Sequence, residues 1–394
     1  MLHLPSLSGN IALAVSGGPD SMAMAWLAKE HFGTDSLYAF IVEHGLRAES
    51  PKEAATTKKH LEAMGVRTFI LPWVHGPLPS RIHVHARKAR YDLLIQACKD
   101  KGCNALFLAH HKNDQAETIL MRLAKGSGLK GLSGIKEQTT RDGITLYRPL
   151  LHVGKDELIA LCHQKNISYA TDKSNDSEKY ARGRLRRVKA ALETEGLTED
   201  RLLDLGARAK DASEAISFYA QTFIKEQGKP LESSAIILPR DSFEALPRAT
   251  ALEVLSLVLQ AIHFKPYPPR RSYLLNALNA PQTVALHGCL IQKSEKRILI
   301  AREPAAVTET LEIAPHETIV WDGRFNVTYQ GEEKGLIIRA LGLRPHKDLA
   351  AKAPEILKTI PQGRLRATLP ALWKGEEWIG MPSFSCDFGM LFKD

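Results

Sequence analysis

The first 170 residues alternate short, continuously apolar runs with stretches of helical spacing. Ile11-Ala-Leu-Ala-Val15, Leu37-Tyr-Ala-Phe-Ile-Val42, Arg67-Thr-Phe-Ile-Leu71 and Ala105-Leu-Phe-Leu-Ala109 read as buried strands. Between them, Asp20 to Lys29, Ser50 to Met64 and Val84 to Cys98 carry a helical period. A strand that is apolar on both faces must be covered on both. The alternation therefore predicts a mostly parallel sheet between helices, a doubly wound, Rossmann-like α/β domain. In such sheets ligands gather at the carboxyl ends of the strands. From about residue 200 the pattern changes. Residues 200–228 read as one long helix and 241–280 as largely helical, followed by strand-like runs at Thr283 to Leu290, Arg297 to Ala301, Thr318 to Tyr329 and Gly335 to Ala340. These shifts predict three parts: an α/β domain over 1–200, a mainly helical middle domain over 201–305, and a small strand-containing α+β domain over 306–394.

Composition narrows the class. No apolar run approaches the roughly 20 residues needed to span a bilayer, and the opening Met1-Leu-His-Leu-Pro lacks a basic segment followed by an apolar one. The five cysteines (98, 103, 162, 289 and 386) contain no Cys-x-x-Cys pair, which argues against a disulfide framework, a zinc ribbon or an iron–sulfur cluster. A cytoplasmic protein is expected. The net charge of +9 permits a polyanionic partner, and its surplus is spread over both halves. One cluster stands out: Lys179 to Lys189 holds six positive charges and no acidic residue. A solvated helix face is the plain explanation of such a run, but the absence of any acidic partner favours a phosphate-rich ligand.

Candidate chemistry begins at Ser16-Gly17-Gly18-Pro19-Asp20-Ser21, directly after the first apolar run and opening a helix. Two glycines permit close backbone approach, the serines add hydroxyl donors, and the helix amino terminus offers unpaired N–H groups to a phosphate. The Gly-Lys-Ser/Thr ending of a Walker A loop is missing.

This hexapeptide resembles the Ser-Gly-Gly-x-Asp-Ser signature of the PP-loop (N-type) ATP pyrophosphatases. A second segment, His110-His-Lys-Asn-Asp114-Gln-Ala-Glu117-Thr through Gly126-Ser-Gly128-Leu-Lys-Gly131-Leu, is similar to the His-His-x-Asp-Asp-Gln-x-Glu-Thr…Gly-Ser-Gly-Leu-x-Gly-Leu segment of the tRNA(Ile)-lysidine synthetase family. Glu43-His44-Gly45-Leu46-Arg47, Ala86-Arg87-x-x-Arg90-Tyr91, Arg148-Pro-Leu-Leu151, Asp172-x-Ser-Asn175 and Tyr180-Ala-Arg182-Gly-Arg184-Leu-Arg186 follow in that family's order. Similarity returns faintly at Leu365 to Trp373 and Trp378 to Pro382. The resemblance implies ATP-dependent adenylation of a cytidine at the wobble position of a tRNA(Ile) with a CAU anticodon. Pyrophosphate is then released, and free L-lysine attacks with loss of AMP.

It also implies roles. Ser16, Gly17, Gly18, Pro19, Asp20, Ser21 and His44 would bind ATP, and Asp20 and Asp114 would hold Mg²⁺. Asp20, Asp114 and Arg186 would act in catalysis, while Arg87, Arg90, His110, Glu117, Arg182, Arg184 and Arg186 would contact the tRNA substrate. Asp20 is otherwise a first-turn carboxylate favoured by the helix dipole, and Asp114 with Glu117 a capping arrangement. Asn113 stands where the family has the first of two aspartates, and Gly183 where it commonly has asparagine. A sulfur-transferring PP-loop enzyme, an amidating one and an inactive RNA-binding relative are the competing readings. The first needs reactive cysteines and the second an ammonia source, which the chain does not display.

Overall fold

The computed structural model describes residues 4–45, 49–76, 82–170, 188, 190–264, 267–343, 363–386 and 388–392. The chain forms two compact units, Met1–Ala212 and Ser213–Asp394.

In the first unit six strands form one sheet: β1 (Asn10–Ala14), β2 (Leu37–Glu43), β3 (Arg67–Pro72), β4 (Cys103–Leu108), β5 (Gln138–Arg141) and β6 (Ile144–Tyr147). Their order is β3-β2-β1-β4-β6-β5. Every pairing is parallel except that of the edge strand β5 with β6. The helices are α1 (Pro19–Phe32), α2 (Ser50–Ala63), α3 (Ile82–Asp100), α4 (Lys112–Ala124), the short α5 (Leu129–Leu132) and α6 (Lys155–Gln164). Alternation along β1 shows why both faces must be covered. Ile11 and Leu13 enter a core with Met22, Ala25, Leu61 and Leu158 from α1, α2 and α6. Ala12 and Ala14 enter a second core with Tyr91, Leu94 and Cys98 from α3. Each large apolar side chain fully buried this way contributes roughly 1.5–3 kcal/mol.

The connections fix the site. From β1 the chain steps through β2 to β3 on one side, then returns to place β4 on the other. Ala14 and Leu108 are register partners, so β1 and β4 end level and their following loops lie side by side. This reversal of strand order is where a doubly wound sheet opens a crevice.

The second unit holds more strand than the periodicity predicts. Helices Arg248–His263 and Arg271–Asn279 share a core with a five-stranded antiparallel sheet. That sheet includes Lys229–Leu231 and Ala235–Pro239, two strands too short to show a period of their own. Thr283 to Leu290 does not form one strand. It divides at His287-Gly288, both at positive φ, into Val284–Leu286 and Cys289–Lys293. Thr318 to Tyr329 likewise divides at Asp322-Gly323 into Thr318–Trp321 and Phe325–Thr328. Tight hairpin turns demand such torsions, and Gly supplies them at little cost. The largely buried Asp322 carboxylate accepts hydrogen bonds from the buried Arg302 and Arg324 and offsets part of their combined charge. Among the described residues no helix is long and apolar enough to cross a membrane.

Candidate active site

The Ser16–Ser21 loop is held in shape by its own side chains and by two neighbours. Gly17 sits at φ +89°, a conformation that L-residues rarely adopt. Ser21 Oγ donates to the Gly18 carbonyl at 3.0 Å and accepts from the Ser16 N–H at 3.1 Å, with Ser16 Oγ 3.3 Å away. Behind the loop, Ala170 N–H donates to the Gly17 carbonyl at 2.8 Å, and Thr57 of α2 leaves no room for a side chain at Gly17. Gly18 caps α1 without a side-chain hydrogen bond, and Pro19 at the first helical position has no N–H to satisfy. The remaining first-turn donors are thus left for a ligand at a helix end that favours negative charge.

Across the crevice, β4 runs through His110 into His111, the residue that caps α4. The His111 N–H donates to the Asp114 carboxylate at 3.2 Å. The buried His111 ring places Nε2 3.6 Å from the Asp20 carboxylate and 3.5 Å from that of Asp114. Three groups from two loops therefore meet at the ends of β1 and β4. Asp20 Oδ1 is buried with no protein hydrogen-bond partner. Burial pushes the Asp20 carboxyl above the usual range and Asp114 adds to that, while His111 and Lys155 pull it back. Burial also pushes His110 down to about 4, reinforced by Arg148, Arg90 and Arg87 and opposed by Asp114. His110 is neutral at physiological pH.

A third wall comes from β2 and α3. A cavity of about 200 Å³ opens beside the loop, lined among others by Ser16, Glu43, His44, Ser50, Arg90 and Leu94. Burial lowers the pKa of His44, and Arg90 lowers it further. Arg87 stays exposed, its guanidinium 5.2 Å above the Tyr91 ring. Glu117 lies half-buried one turn beyond Asp114 on α4.

Residues 3–191 match the family model of the PP-loop domain. Over 362 residues the chain is 33% identical to the tRNA(Ile)-lysidine synthase of Wolbachia pipientis wMel, an alignment covering 89% of this chain and 83% of that one. It is also 33% identical to the tRNA(Ile)-lysidine synthase of Ruegeria pomeroyi, over 94% of this chain and 88% of the relative. The enzyme of that name from Methylobacterium sp. (strain 4-46) shares 36%, over 75% and 90%. The chain belongs to the tRNA(Ile)-lysidine synthase family. It is an ATP-dependent ligase.

Within this lysidine synthase fold, the structure brings together the Ser16–Ser21 loop, Asp20 and Asp114, with His110 beside Asp114 and His44 and Arg90 sharing the neighbouring cavity. Arg182, Arg184 and Arg186 lie outside the described residues. Cys98 and Cys103, the residues a sulfur-transfer reading would need, are buried, and burial pushes their thiols up to about 12 and about 11. Thiols held so far from ionisation are poor nucleophiles.

The sequence motifs understate three contributors. His111 is the hub between the two carboxylates, a role visible only once β1 and β4 are neighbours. Lys155 reaches Asp20 electrostatically from α6, far along the sequence but packed in the same core as α1, and carries no motif of its own. Asn113, the departure from the family's paired aspartates, turns away from the Asp20–His111–Asp114 group. Its side-chain oxygen accepts from Lys155 N–H at 3.0 Å and its amide donates to Glu199 at 2.6 Å.

Proposed function

We propose that this chain joins free L-lysine to the wobble cytidine of a tRNA(Ile) with a CAU anticodon, in the cytoplasm where tRNA, ATP and lysine meet. The observation that carries the reading is the meeting of the Ser16–Ser21 loop with Asp20, His111 and Asp114 at the ends of β1 and β4. The loop's backbone donors, with Ser16 and Ser21, would hold the departing pyrophosphate of ATP. The cavity beside His44 and Arg90 suits the nucleoside end. Asp20 and Asp114 fit a Mg²⁺ ion: Asp20 Oδ1 is buried without a protein partner, and Mg²⁺ is commonly held by one or two carboxylates together with substrate phosphates. When bound, Mg²⁺ neutralises the charge that shifts between phosphate oxygens during adenylation.

Lysine brings a cationic amine and a carboxylate. Asp114 and Glu117 suit the amine, and the exposed fork of Arg87 suits the carboxylate. His110, held neutral, adds a hydrogen-bonding ring to this wall without adding charge beside three arginines.

The tRNA itself is gripped through phosphates and unpaired bases. Arg182, Arg184 and Arg186 in the basic run 179–189, which holds no acidic residue, support this. In the C-terminal half, Arg364, Arg366 and Lys374 are candidates by their charge, but Lys374 is engaged by Glu333 at 2.7 Å. A better-placed group follows helix Arg248–His263: no acidic residue lies between Glu253 and Glu295, and Tyr267, Arg270, Arg271 and Tyr273 are all exposed. Arginines interleaved with exposed aromatic rings suit phosphates and unstacked bases.

The deciding experiment is mass spectrometry of the anticodon fragment of tRNA(Ile) after incubation with ATP and isotope-labelled lysine. Label on the wobble cytidine with the wild-type protein, and none with Asp20→Ala, is the expected result. Unlabelled tRNA alongside ATP consumption would overturn the assignment of substrate.

A further inference from the structure

Asn113 occupies the second position of α4, between the helix-capping His111 and Asp114. Its two side-chain atoms do different work. Oδ1 accepts the N–H of Lys155, the first residue of α6, at 3.0 Å. Nδ2 donates to the carboxylate of Glu199, the first residue of helix Glu199–Gln227, at 2.6 Å. Next to it, Lys112 Nζ contacts Asp200 at 2.6 Å, and the Lys112 N–H donates to the Val153 carbonyl at 3.0 Å. The first turn of α4 is thereby tied to the starts of two other helices. One of these, α6, carries the Lys155 charge that faces Asp20.

Only a side chain that both accepts and donates can make the Asn113 pair of contacts. An ionised carboxylate is acceptor-only. The aspartate of the family pattern at this position would keep the Lys155 contact but set a second negative charge against Glu199. In this chain the asparagine and Glu199 are therefore matched.

We propose that Asn113 is a positioning residue for the adenylation step. Through Lys155 N–H and Glu199 it fixes the first turn of α4, and with it the stations of His111 and Asp114 relative to Asp20. The His111 ring meets both carboxylates within 3.6 Å, so a shift of the turn by about 1 Å misaligns the group, and misplacement on that scale can cost on the order of a hundredfold in rate. The proposal rests on the reading of Asp20 and Asp114 given above.

The test uses the full chain with tRNA(Ile), ATP and lysine, following pyrophosphate release. Asn113→Asp should lower kcat by about tenfold or more while changing KM for ATP by less than about threefold, since the Ser16–Ser21 loop is untouched. Glu199→Gln alone should stay near wild type, because its amide oxygen still accepts from Asn113. The double variant Asn113→Asp with Glu199→Gln should recover kcat, its new amide donating to the new carboxylate. Thermal unfolding of each variant separates positioning from folding. Wild-type kcat in Asn113→Asp overturns the proposal. So does a loss that Glu199→Gln fails to restore, or one that vanishes once the variants are compared equally far below their Tm. An inactive wild type would instead overturn the functional reading on which the proposal rests.

Discussion

A Cβ atom on Gly17 would stand 2.4 Å from Thr57 Oγ1, so α2 presses directly on the phosphate-facing loop. Gly17 is also at φ +89°, so two separate costs attach to any side chain there. Strain at a left-handed position is on the order of 1–3 kcal/mol, and the clash adds to it. Gly17→Ala should lower Tm by several degrees and weaken ATP binding by about tenfold or more. Removing the obstruction in Gly17→Ala with Thr57→Ala should recover part of the Tm, because the backbone strain persists. Full recovery would show the torsion to be unimportant; calorimetry of both variants decides.

Asp20 joins function to a local instability. Burial raises its folded-state pKa. A carboxyl shifted upward favours folding below its unfolded pKa, and that contribution is lost as pH rises through the folded value. Above that folded value the ionised Asp20 opposes folding. Asp20→Asn should unfold at a higher temperature than wild type at pH 7, and the gap should close towards pH 4. Pyrophosphate release should nevertheless fall by on the order of 10²-fold or more, as when a preorganised electrostatic contact is removed. A variant with unchanged turnover would reduce Asp20 to a helix-dipole residue.

How much of this was legible in the sequence follows from which signals are local. Continuous apolar runs announced β1, β2 and β4, because strands covered on both faces leave few polar positions to disguise them, while the edge strand β3 showed itself by Phe69-Ile-Leu71 despite Arg67 and Thr68. The Ser16–Ser21 hexapeptide announced the loop, because glycine and proline fix its torsions within six residues. The hairpins at His287-Gly288 and Asp322-Gly323 were also encoded locally, and a reading by apolar runs passed over the turn residues. The role of His111 was not legible, because it depends on the register of Ala14 with Leu108. Nor was that of Asn113, whose partners Lys155 and Glu199 are near it only in space.

His110 sets a second pH dependence. Its pKa is pushed down to about 4 in the fold, against an ordinary histidine value near 6.5. The unfolded chain gains a proton near pH 6.5 that the folded one resists until about pH 4. Stability from this group is therefore present above pH 6.5 and lost as pH falls across that window. His110→Gln should flatten the decline of Tm between about pH 6.5 and 4 relative to wild type. The NMR titration of the His110 ring should show it neutral at pH 6. A ring titrating near 6.5 would mean that the surrounding arginines and burial exert no net effect.

The grip on tRNA is expected to be electrostatic and divisible between two regions. Each phosphate neutralised by Lys or Arg contributes about 0.7–0.9 to the slope of log affinity against log salt. With several such contacts, affinity for tRNA(Ile) should fall on the order of a hundredfold or more between about 50 and 200 mM salt. Arg270→Ala with Arg271→Ala should flatten that slope by about 1.4 to 1.8. Both arginines are exposed on a stretch without a single acidic residue, so their loss removes no core packing. Arg186→Ala should flatten it by about 1 and also slow pyrophosphate release, because the basic run belongs to the N-terminal domain that carries the ATP loop. ATP affinity should be unchanged on all three substitutions, since none of these residues belongs to the Ser16–Ser21 motif. Filter binding across a salt series, with tRNA(Ile) and with an isolated anticodon stem-loop, separates the two regions. If Arg270 and Arg271 contact the body of the tRNA, their substitution weakens binding of the whole molecule and leaves the stem-loop unaffected. Equal weakening of both ligands would place the two arginines at the anticodon instead, and an unchanged slope on whole tRNA would remove them from the interface.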